Sequence, residues 1–426
     1  MRLAVFTNQF PGRVNTFFAR DMRGLIEAGV EVHVFPLYPL DHGLWRWVPK
    51  ILDRDVLPRH RVHHVSLGLC GSRQIRGLIP LAAAMAAEGA RYGLAPVLKS
   101  FYSLAKTARW HHLFGTGWDH LLAYWGNYSA ACAYAFHQLT GVPYSILLHA
   151  GTDLYRNAIF LRQKMLHARH VLVVCDFNRQ YIREHYADIY PALAPKIDVH
   201  HLGLDLSVLS FSPGGRPEAK LIGVGRLAKG KGFDDLLRAV RCVRDRGLDV
   251  EVELVGDGPE AEALRRLAVR LGLEAQVRFL GWLAPDRVPC MIRGATALVH
   301  ASVWQRDGNL DAVPTVIKEA LAVGTPVIAS NIAGIPELLD QGRCGLLTRP
   351  GDVPSLTAAI ESLLRNEALC SRLAMAGRQY AETHFDLWRN TRVLARLLSA
   401  HRPVDPAIDR NEQPASSHLS SASARR

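Results

Sequence analysis

Short apolar runs alternate with stretches of helical periodicity in both halves of the chain. In the first half the runs cover residues 3–6, 30–35, 121–124, 144–148 and 171–175, with a helix predicted over 16–29. In the second half they cover residues 220–224, 250–255, 276–279, 297–300 and 325–329. Continuous apolar strands that alternate with helices are typical of parallel sheets covered on both faces. We therefore predict an α/β protein with two doubly wound, Rossmann-like domains.

A break between the domains is predicted near residues 207–219, where Pro213, Gly214, Gly215 and Pro217 disfavour regular structure. This divides the chain into an N-terminal domain over 1–206 and a C-terminal domain over 207–385. We expect residues 386–400 to form a last helix that packs back on the N-terminal domain. Residues 401–426 are poor in large apolar side chains and are predicted to be disordered.

Residues 40–115 interrupt the strand–helix alternation of the first domain. They carry 11 Lys and Arg against 4 acids, and an amphipathic stretch runs from residue 75 to 106. This composition is typical of a helix that lies on an anionic membrane surface. The alternative is an ordinary helical excursion whose apolar stripe packs on the N-terminal sheet.

Length, charge and cysteine usage narrow the class of protein. A chain of 426 residues is expected to hold two domains. The net charge of +12 is concentrated in the N-terminal half and suggests an anionic partner, although an Arg-rich protein without such a partner is the alternative. No aromatic-flanked basic repeat points to nucleic acid. The seven dispersed cysteines lack metal-site or redox spacing, so we predict no metal and a reducing compartment. Without a signal-peptide or spanning pattern, we expect a cytoplasmic protein, with the inner membrane face as a candidate site of peripheral attachment.

A glycine-rich turn follows the predicted strand 220–224. Gly225 and the neighbouring glycines let backbone N–H groups approach a phosphate, and the helix expected from residue 233 adds a positive dipole end. Arg226 and Lys231 supply cations suited to a diphosphate. The Gly-Lys-Ser/Thr ending of a Walker A loop is missing. The pattern indicates a phosphate site, with a solvated basic turn as the alternative.

Two acids accompany a helix predicted over 315–323. Asp311 lies in the loop before it, and Glu319 lies in its first turns. A carboxylate at Glu319 can accept hydrogen bonds from ribose hydroxyls, and Asp311 would lie near a sugar. The alternative is that both acids only stabilise the helix dipole.

His149 is a further candidate, because it follows the strand 144–148 and ligands bind at the carboxyl ends of such strands. The alternative is a structural histidine, since the chain has 19 of them.

Together these motifs resemble the ordered donor-site motifs of retaining glycosyltransferases of family 4, which have the GT-B architecture. The segments that carry the resemblance are Gly225-Arg-Leu-x3-Lys-Gly232, Val255-Gly-Asp-Gly-Pro259, Asp311-x7-Glu319, Gly334-Ile-Pro-Glu337 and Gly345-Leu-Leu. In the first half, Phe10-Pro-Gly-Arg-Val-Asn-Thr-Phe17, His149-Ala-x-x-Asp153 and His201-Leu-Gly-Leu-Asp205 are similar to motifs of exopolysaccharide and lipopolysaccharide transferases of that family. The resemblance covers residues 1–37 and 120–395.

The resemblance implies a role for each matching residue. The donor-binding set is Gly225, Arg226, Lys231, Glu319, Gly334, Ile335 and Pro336; the catalytic set is His149, Asp311, Arg226 and Lys231; the acceptor-side set is Gly12, Arg13, Asn15 and Asp153. Arg226 and Lys231 would bind the donor diphosphate and Glu319 the ribose. Asp311 replaces a usual Glu, and Val14 and Asn15 replace a usual Ser and Glu, so the sugar contact and the opening loop depart from the family pattern.

The predicted function is transfer of a sugar, with retention, from a nucleotide diphosphate-sugar to a glycan or lipid-linked acceptor in bacterial surface polysaccharide biosynthesis. No cofactor or metal is predicted, and an anionic membrane surface is a candidate partner. The alternatives are a nucleotide-sugar epimerase or another GT-B enzyme, and a membrane- or nucleic-acid-binding protein with a vestigial site.

Overall fold

The computed structural model describes residues 1–10, 16–38, 57–68, 72–151, 153–156, 159–213, 219–304 and 312–400. Within them lie two six-stranded, all-parallel sheets with helices on their faces, so the predicted fold class is confirmed.

The N-terminal sheet has the strand order β2-β1-β3-β4-β5-β6. Its strands are β1 (Arg2–Thr7), β2 (Glu31–Pro36), β3 (His120–Ala123), β4 (Tyr144–Leu148), β5 (His170–Val173) and β6 (Ile197–Val199). Its helices are α1 (Thr16–Glu27), α2 (Ser72–Gly89), α3 (Leu94–Phe114), α4 (Tyr128–Thr140), α5 (Leu161–His167), α6 (Asp176–His185) and α7 (Tyr190–Leu193). The strands are buried on both faces, which explains their unbroken apolar sequences.

The C-terminal sheet has the order β12-β11-β10-β7-β8-β9. Its strands are β7 (Lys220–Val224), β8 (Glu251–Val255), β9 (Val277–Gly281), β10 (Ala297–His300), β11 (Val327–Ser330) and β12 (Leu346–Thr348). The helices are α8 (Phe233–Asp245), α9 (Ala261–Arg270), α10 (Val288–Arg293), α11 (Thr315–Val323), α12 (Ile335–Leu338), α13 (Val353–Leu364), α14 (Glu367–His384) and α15 (Leu387–Ser399). The three-residue strands β6 and β12 were not predicted, because they are too short to show a periodic pattern.

Each sheet reverses its strand order at one point, and these two points locate the candidate site. In the N-terminal sheet the reversal lies between β1 and β3, and in the C-terminal sheet it lies between β7 and β10. Loops that leave the carboxyl ends of strands on either side of such a point form a ligand-binding crevice.

The chain crosses back to the N-terminal domain at its end. Leu204 and Asp386 form a parallel bridge, and α15 packs on α1. The helices approach closely at Gly24, where an added Cβ would lie 2.3 Å from the hydroxyl of Thr391. Leu394 and Leu398 of α15 belong to the same buried cluster as the α1 residues. The last helix therefore ties the C-terminal domain to the N-terminal one.

Helices α2 and α3 form a pair that covers α4. Leu78 and Met85 of α2 and Leu104 of α3 pack against Ala131 and Ala135 of α4. Large apolar side chains are nevertheless exposed on these two helices and on the short turn between them, namely Ile75, Ile79, Tyr92, Leu94, Leu98 and Phe101. Within the described residues, the helix pair thus packs on the domain through some of its apolar side chains and leaves others exposed. Among the described residues, no helix is both long enough and apolar enough to cross a membrane.

Candidate active site

The glycine-rich turn after β7 is shaped by close backbone approaches. Gly225 has φ +156°, and its N–H donates a hydrogen bond of 2.9 Å to the carbonyl of Val255. A Cβ on Gly256 would lie 1.8 Å from the carbonyl oxygen of Gly225. Gly232, with φ +65°, precedes α8, and a Cβ there would lie 1.8 Å from the carbonyl oxygen of Ala301. Only glycine fits at these contacts, so the turn packs directly against the loops after β8 and β10.

Two cations lie on this turn in different environments. Arg226 is exposed, whereas Lys231 is partly buried. Burial, and then the charge of Arg226, lowers the pKa of Lys231 to about 8. Lys231 in turn adds to burial in lowering the pKa of His300, at the end of β10, to about 3. The turn therefore concentrates positive charge where an anion would relieve the mutual repulsion.

Glu319 lies in α11, which is followed by Gly324 in the left-handed conformation. Its carboxylate is buried and accepts a hydrogen bond of 3.1 Å from the guanidinium of Arg20 on α1. Burial raises the pKa of Glu319, while Arg20 opposes that shift. The Nη1 atom of Arg20 is buried and makes no hydrogen bond to the described residues. The ion pair joins the two domains across the crevice.

A second contact between the domains lies beside this ion pair. Lys318 is fully buried and donates a hydrogen bond of 2.7 Å to the carbonyl of Leu202. Burial, and then Arg20, lowers its pKa to about 8. Sequence reasoning missed both Arg20 and Lys318, because their partners lie in the other domain and leave no local signature.

The predicted Gly334-Ile335-Pro336 segment begins α12 and faces the N-terminal domain. A Cβ on Gly334 would lie 2.6 Å from the carbonyl oxygen of Ala312 and 3.0 Å from the sulfur of Cys175. One turn further, the carboxylate of Glu337 accepts a hydrogen bond of 2.7 Å from the backbone N–H of Asp176. The segment therefore lies at the contact between the domains.

His149 lies at the carboxyl end of β4, inside an aromatic enclosure. Its ring centroid lies 5.4 Å from that of Phe17, 5.1 Å from that of Tyr124 and 5.3 Å from that of Trp125, which is stacked at 24°. The Nδ1 atom lies 3.4 Å from a carboxylate oxygen of Asp153. Neither ring nitrogen makes a hydrogen bond to the described residues.

Asp153 fixes the backbone around His149. Its carboxylate accepts hydrogen bonds from the backbone N–H groups of His149 and Gly126. The amide of Asn178 donates to the carbonyl of His149. Asp153, predicted on the acceptor side, is thus buried beneath the histidine. Asp311, Gly12, Arg13 and Asn15 lie outside the described residues.

Comparisons with known proteins agree with this architecture. Residues 213–380 match the family model for glycosyl transferases group 1. By structure the chain is similar to Anabaena Alr3699/HepE in complex with UDP, with a TM-score of 0.68 and 19% identity over 93% of this chain and 99% of that one. It is also similar to the lipopolysaccharide outer core galactosyltransferase WaaB, with a TM-score of 0.61 and 17% identity over 93% and 99% of the two chains. The fold is that of GT-B glycosyltransferases.

Two curated relatives extend the comparison along the chain. The amylovoran biosynthesis glycosyltransferase AmsK of Erwinia amylovora is 25% identical over 93% of this chain and 99% of its own length. The GDP-mannose-dependent alpha-(1-6)-phosphatidylinositol monomannoside mannosyltransferase of Mycolicibacterium smegmatis is 30% identical, over 55% of this chain and 64% of its own length. The C-terminal half of the chain thus carries a glycosyl transferases group 1 domain, and the protein is a glycosyltransferase.

Proposed function

We propose that the protein transfers a sugar from a nucleotide diphosphate-sugar to a glycan or lipid-linked acceptor in bacterial surface polysaccharide biosynthesis. The observation that carries the proposal is the cationic turn of Arg226 and Lys231 after β7, combined with the buried carboxylate of Glu319 on α11, which follows the neighbouring strand β10. A diphosphate would bind at the turn and a ribose at the carboxylate. The relatives support a sugar-nucleotide donor, since one is bound to UDP and another is GDP-mannose-dependent by name.

In the proposed reaction, the bond between the anomeric carbon and the donor phosphate oxygen breaks, and the diphosphate leaves with the electron pair. Arg226, Lys231 and the backbone N–H groups of the turn stabilise the charge that develops on it. The transition state has oxocarbenium character. The acceptor oxygen bonds to the same face of the sugar, and its proton passes to the leaving phosphate. This route retains the anomeric configuration and requires no metal.

The remaining site residues are assigned by their positions in this proposal. His149 would contact the donor sugar, because its ring ends the β4 strand at the crevice. The backbone of Gly334, Ile335 and Pro336 would approach the phosphates or the sugar. Asp311, Gly12, Arg13 and Asn15 keep the roles that the family resemblance implies, near the donor sugar for Asp311 and on the acceptor side for the others.

A nucleotide-sugar panel tests the donor assignment. We expect one UDP- or GDP-sugar to raise the Tm, since a ligand present at about 100 times its Kd stabilises by about 2.7 kcal/mol. Calorimetry would then give the affinity, and a complete absence of nucleotide binding would favour a vestigial site.

Incubating the donor alone separates the transferase from an epimerase, because only an epimerase would form a new epimer. The anomeric coupling constant of the product, measured by NMR, tests retention.

We also propose that the exposed apolar side of α2 and α3 rests on an anionic membrane at the inner, cytoplasmic face, where a lipid-linked acceptor is held. Leu94 and Leu98 are 71% and 57% exposed. Among the side chains of this segment that the structure describes, the exposed charged ones, at Arg76, Arg91 and Lys99, are all basic. Apolar side chains bordered by cations suit insertion at an anionic surface.

Co-sedimentation with phosphatidylglycerol vesicles tests this attachment. Replacing Leu94 and Leu98 with Gln should weaken binding about tenfold or more, because each side chain loses apolar burial. A matched control replaces Val269 and Met375, which are 57% and 56% exposed on the C-terminal domain. Equal binding by the two double variants would contradict the proposal.

A further inference from the structure

A fully buried lysine, absent from the sequence motifs, lies beneath the candidate catalytic histidine. Lys164 is on α5, and its ammonium donates hydrogen bonds of 2.6 Å to the carbonyl of Gly126 and 3.0 Å to the carbonyl of Asn127. Burial lowers its pKa to about 7, with Asp153 and Glu88 opposing the shift. Burying an ammonium is costly unless it is hydrogen-bonded, so its two contacts with backbone carbonyls are significant.

Those contacts hold a turn whose backbone is under strain. Residues 125–127 follow β3, and Trp125 has φ +150°, a conformation that residues with a side chain rarely adopt. Such a residue costs about 1–3 kcal/mol and persists only where its surroundings fix it. The next residue leaves no room for a side chain, because a Cβ on Gly126 would lie 2.3 Å from the side chain of Leu148. Lys164 stabilises this turn from below.

The turn reaches His149 by two routes. Through its side chains, the indole of Trp125 stacks on the imidazole at 5.3 Å. Through its backbone, the N–H of Gly126 binds one oxygen of Asp153, and the other oxygen binds the N–H of His149 and lies 3.4 Å from its Nδ1. Movement of the turn would therefore displace both the ring that packs on the histidine and the carboxylate beside it.

We infer that Lys164 is a positioning residue for His149: by holding residues 125–127, it fixes Trp125 and Asp153 around the histidine ring. The inference rests on the proposed function for the assignment of His149 to the donor sugar. Lys164 itself touches neither donor nor acceptor, and its effect passes through the turn. A displacement of about 1 Å at a reacting group can cost about 100-fold in rate.

The chain offers a matched control for testing this role. Lys196 also donates to two backbone carbonyls, at 2.6 Å to Leu166 and 2.9 Å to Ala168, at the far end of the same helix. Lys164→Met and Lys196→Met each remove one ammonium that binds two carbonyls, and both should lower the Tm. Only Lys164→Met should lower kcat, by about 10- to 100-fold, while the Kd for UDP stays within about twofold.

A spectroscopic readout separates positioning from simple loss of stability. In protein labelled with 5-fluorotryptophan, the ¹⁹F resonance of Trp125 is identified by its disappearance in Trp125→Phe. That resonance should shift or broaden in Lys164→Met and stay unchanged in Lys196→Met. An unmoved Trp125 resonance, or loss of kcat by both lysine variants in proportion to their Tm, would overturn the inference.

Two further results keep the test decisive. If Lys164→Met does not fold, Trp125→Phe replaces it, and a kcat within about twofold of the wild type would overturn the role of the turn. If the wild-type protein transfers no sugar from any donor, the proposed function fails. The ¹⁹F comparison still decides then whether Lys164 holds Trp125.

Discussion

The two walls of the crevice are built in different ways. The C-terminal wall consists of a glycine turn, the start of α8 and two cations, all within residues 225–233. The N-terminal wall is a buried network in which Tyr124 donates 2.7 Å to Asp21, and the ring of His200 lies 3.1 Å from the same oxygen. The first wall presents backbone and charge to a ligand, whereas the second presents aromatic rings fixed by buried polar contacts. Under the proposed function, the C-terminal wall would bind the charge of the donor, and the N-terminal wall would fix the positions of the aromatic rings.

The largest effect should follow from removing the less exposed cation of the C-terminal wall. Lys231→Met keeps the stem of the side chain but loses the charge, so the developing charge on the diphosphate is less stabilised. We expect kcat/KM to fall by about 10²–10³-fold, as for loss of one preorganised donor. Steady-state transfer kinetics measure it. Lys229→Met, two residues away and exposed, is the control, and equal losses in both variants would contradict the assignment.

A smaller effect is expected where the two walls meet. Glu319→Gln keeps the shape of the side chain but removes the charged acceptor for a ribose, so the donor KM should rise about 10- to 100-fold. The variant also leaves Arg20 without its carboxylate partner, and this loss is a second cause that would raise the donor KM. The double variant Arg20→Met/Glu319→Gln separates these causes. Recovery of the donor KM in the double variant would show that the stranded guanidinium, rather than a lost ribose contact, was responsible.

The same contrast explains what the sequence could predict. The bounds of β7, β10 and α11 are those predicted. The two strands are short apolar runs, and α11 lies between Pro314 and Gly324. The cationic turn could also be predicted, because its glycines and its two cations are close together in the sequence. Arg20 and Glu319 are 299 positions apart, and Lys164 reaches a turn 38 residues earlier. Within its own helix Lys164 resembles a surface cation, so only the fold reveals its burial.

The charge of the C-terminal wall should also make donor binding depend on pH. The pKa of Lys231 is lowered to about 8 in the free protein, and a bound diphosphate would raise it. Protonation therefore accompanies binding, and affinity should fall as pH rises through 8, by up to about tenfold per pH unit. Calorimetry with UDP between about pH 7 and 9 measures this, above the second phosphate pKa near 6. A slope that persists in Lys231→Met would assign the effect to another group.

At the contact between the walls, where Glu337 accepts a hydrogen bond from Asp176, pH should change the stability of the protein rather than donor binding. Burial, and then the charge of Asp176, raises the pKa of Glu337 to about 7 from 4.5. The folded state therefore favours the protonated carboxyl, and its stabilising effect is complete below pH 4.5 and is lost as pH rises through 7. The full difference is about 3 kcal/mol.

Gln keeps an acceptor for the N–H of Asp176 without a charge, so Glu337→Gln should raise the Tm by several degrees at about pH 8 and little at about pH 5. Glu382→Gln, at an exposed carboxylate on α14, should show no such growth with pH. A Tm difference for Glu337→Gln that does not grow between these pH values would mean that the contact between the walls tolerates a charged carboxylate.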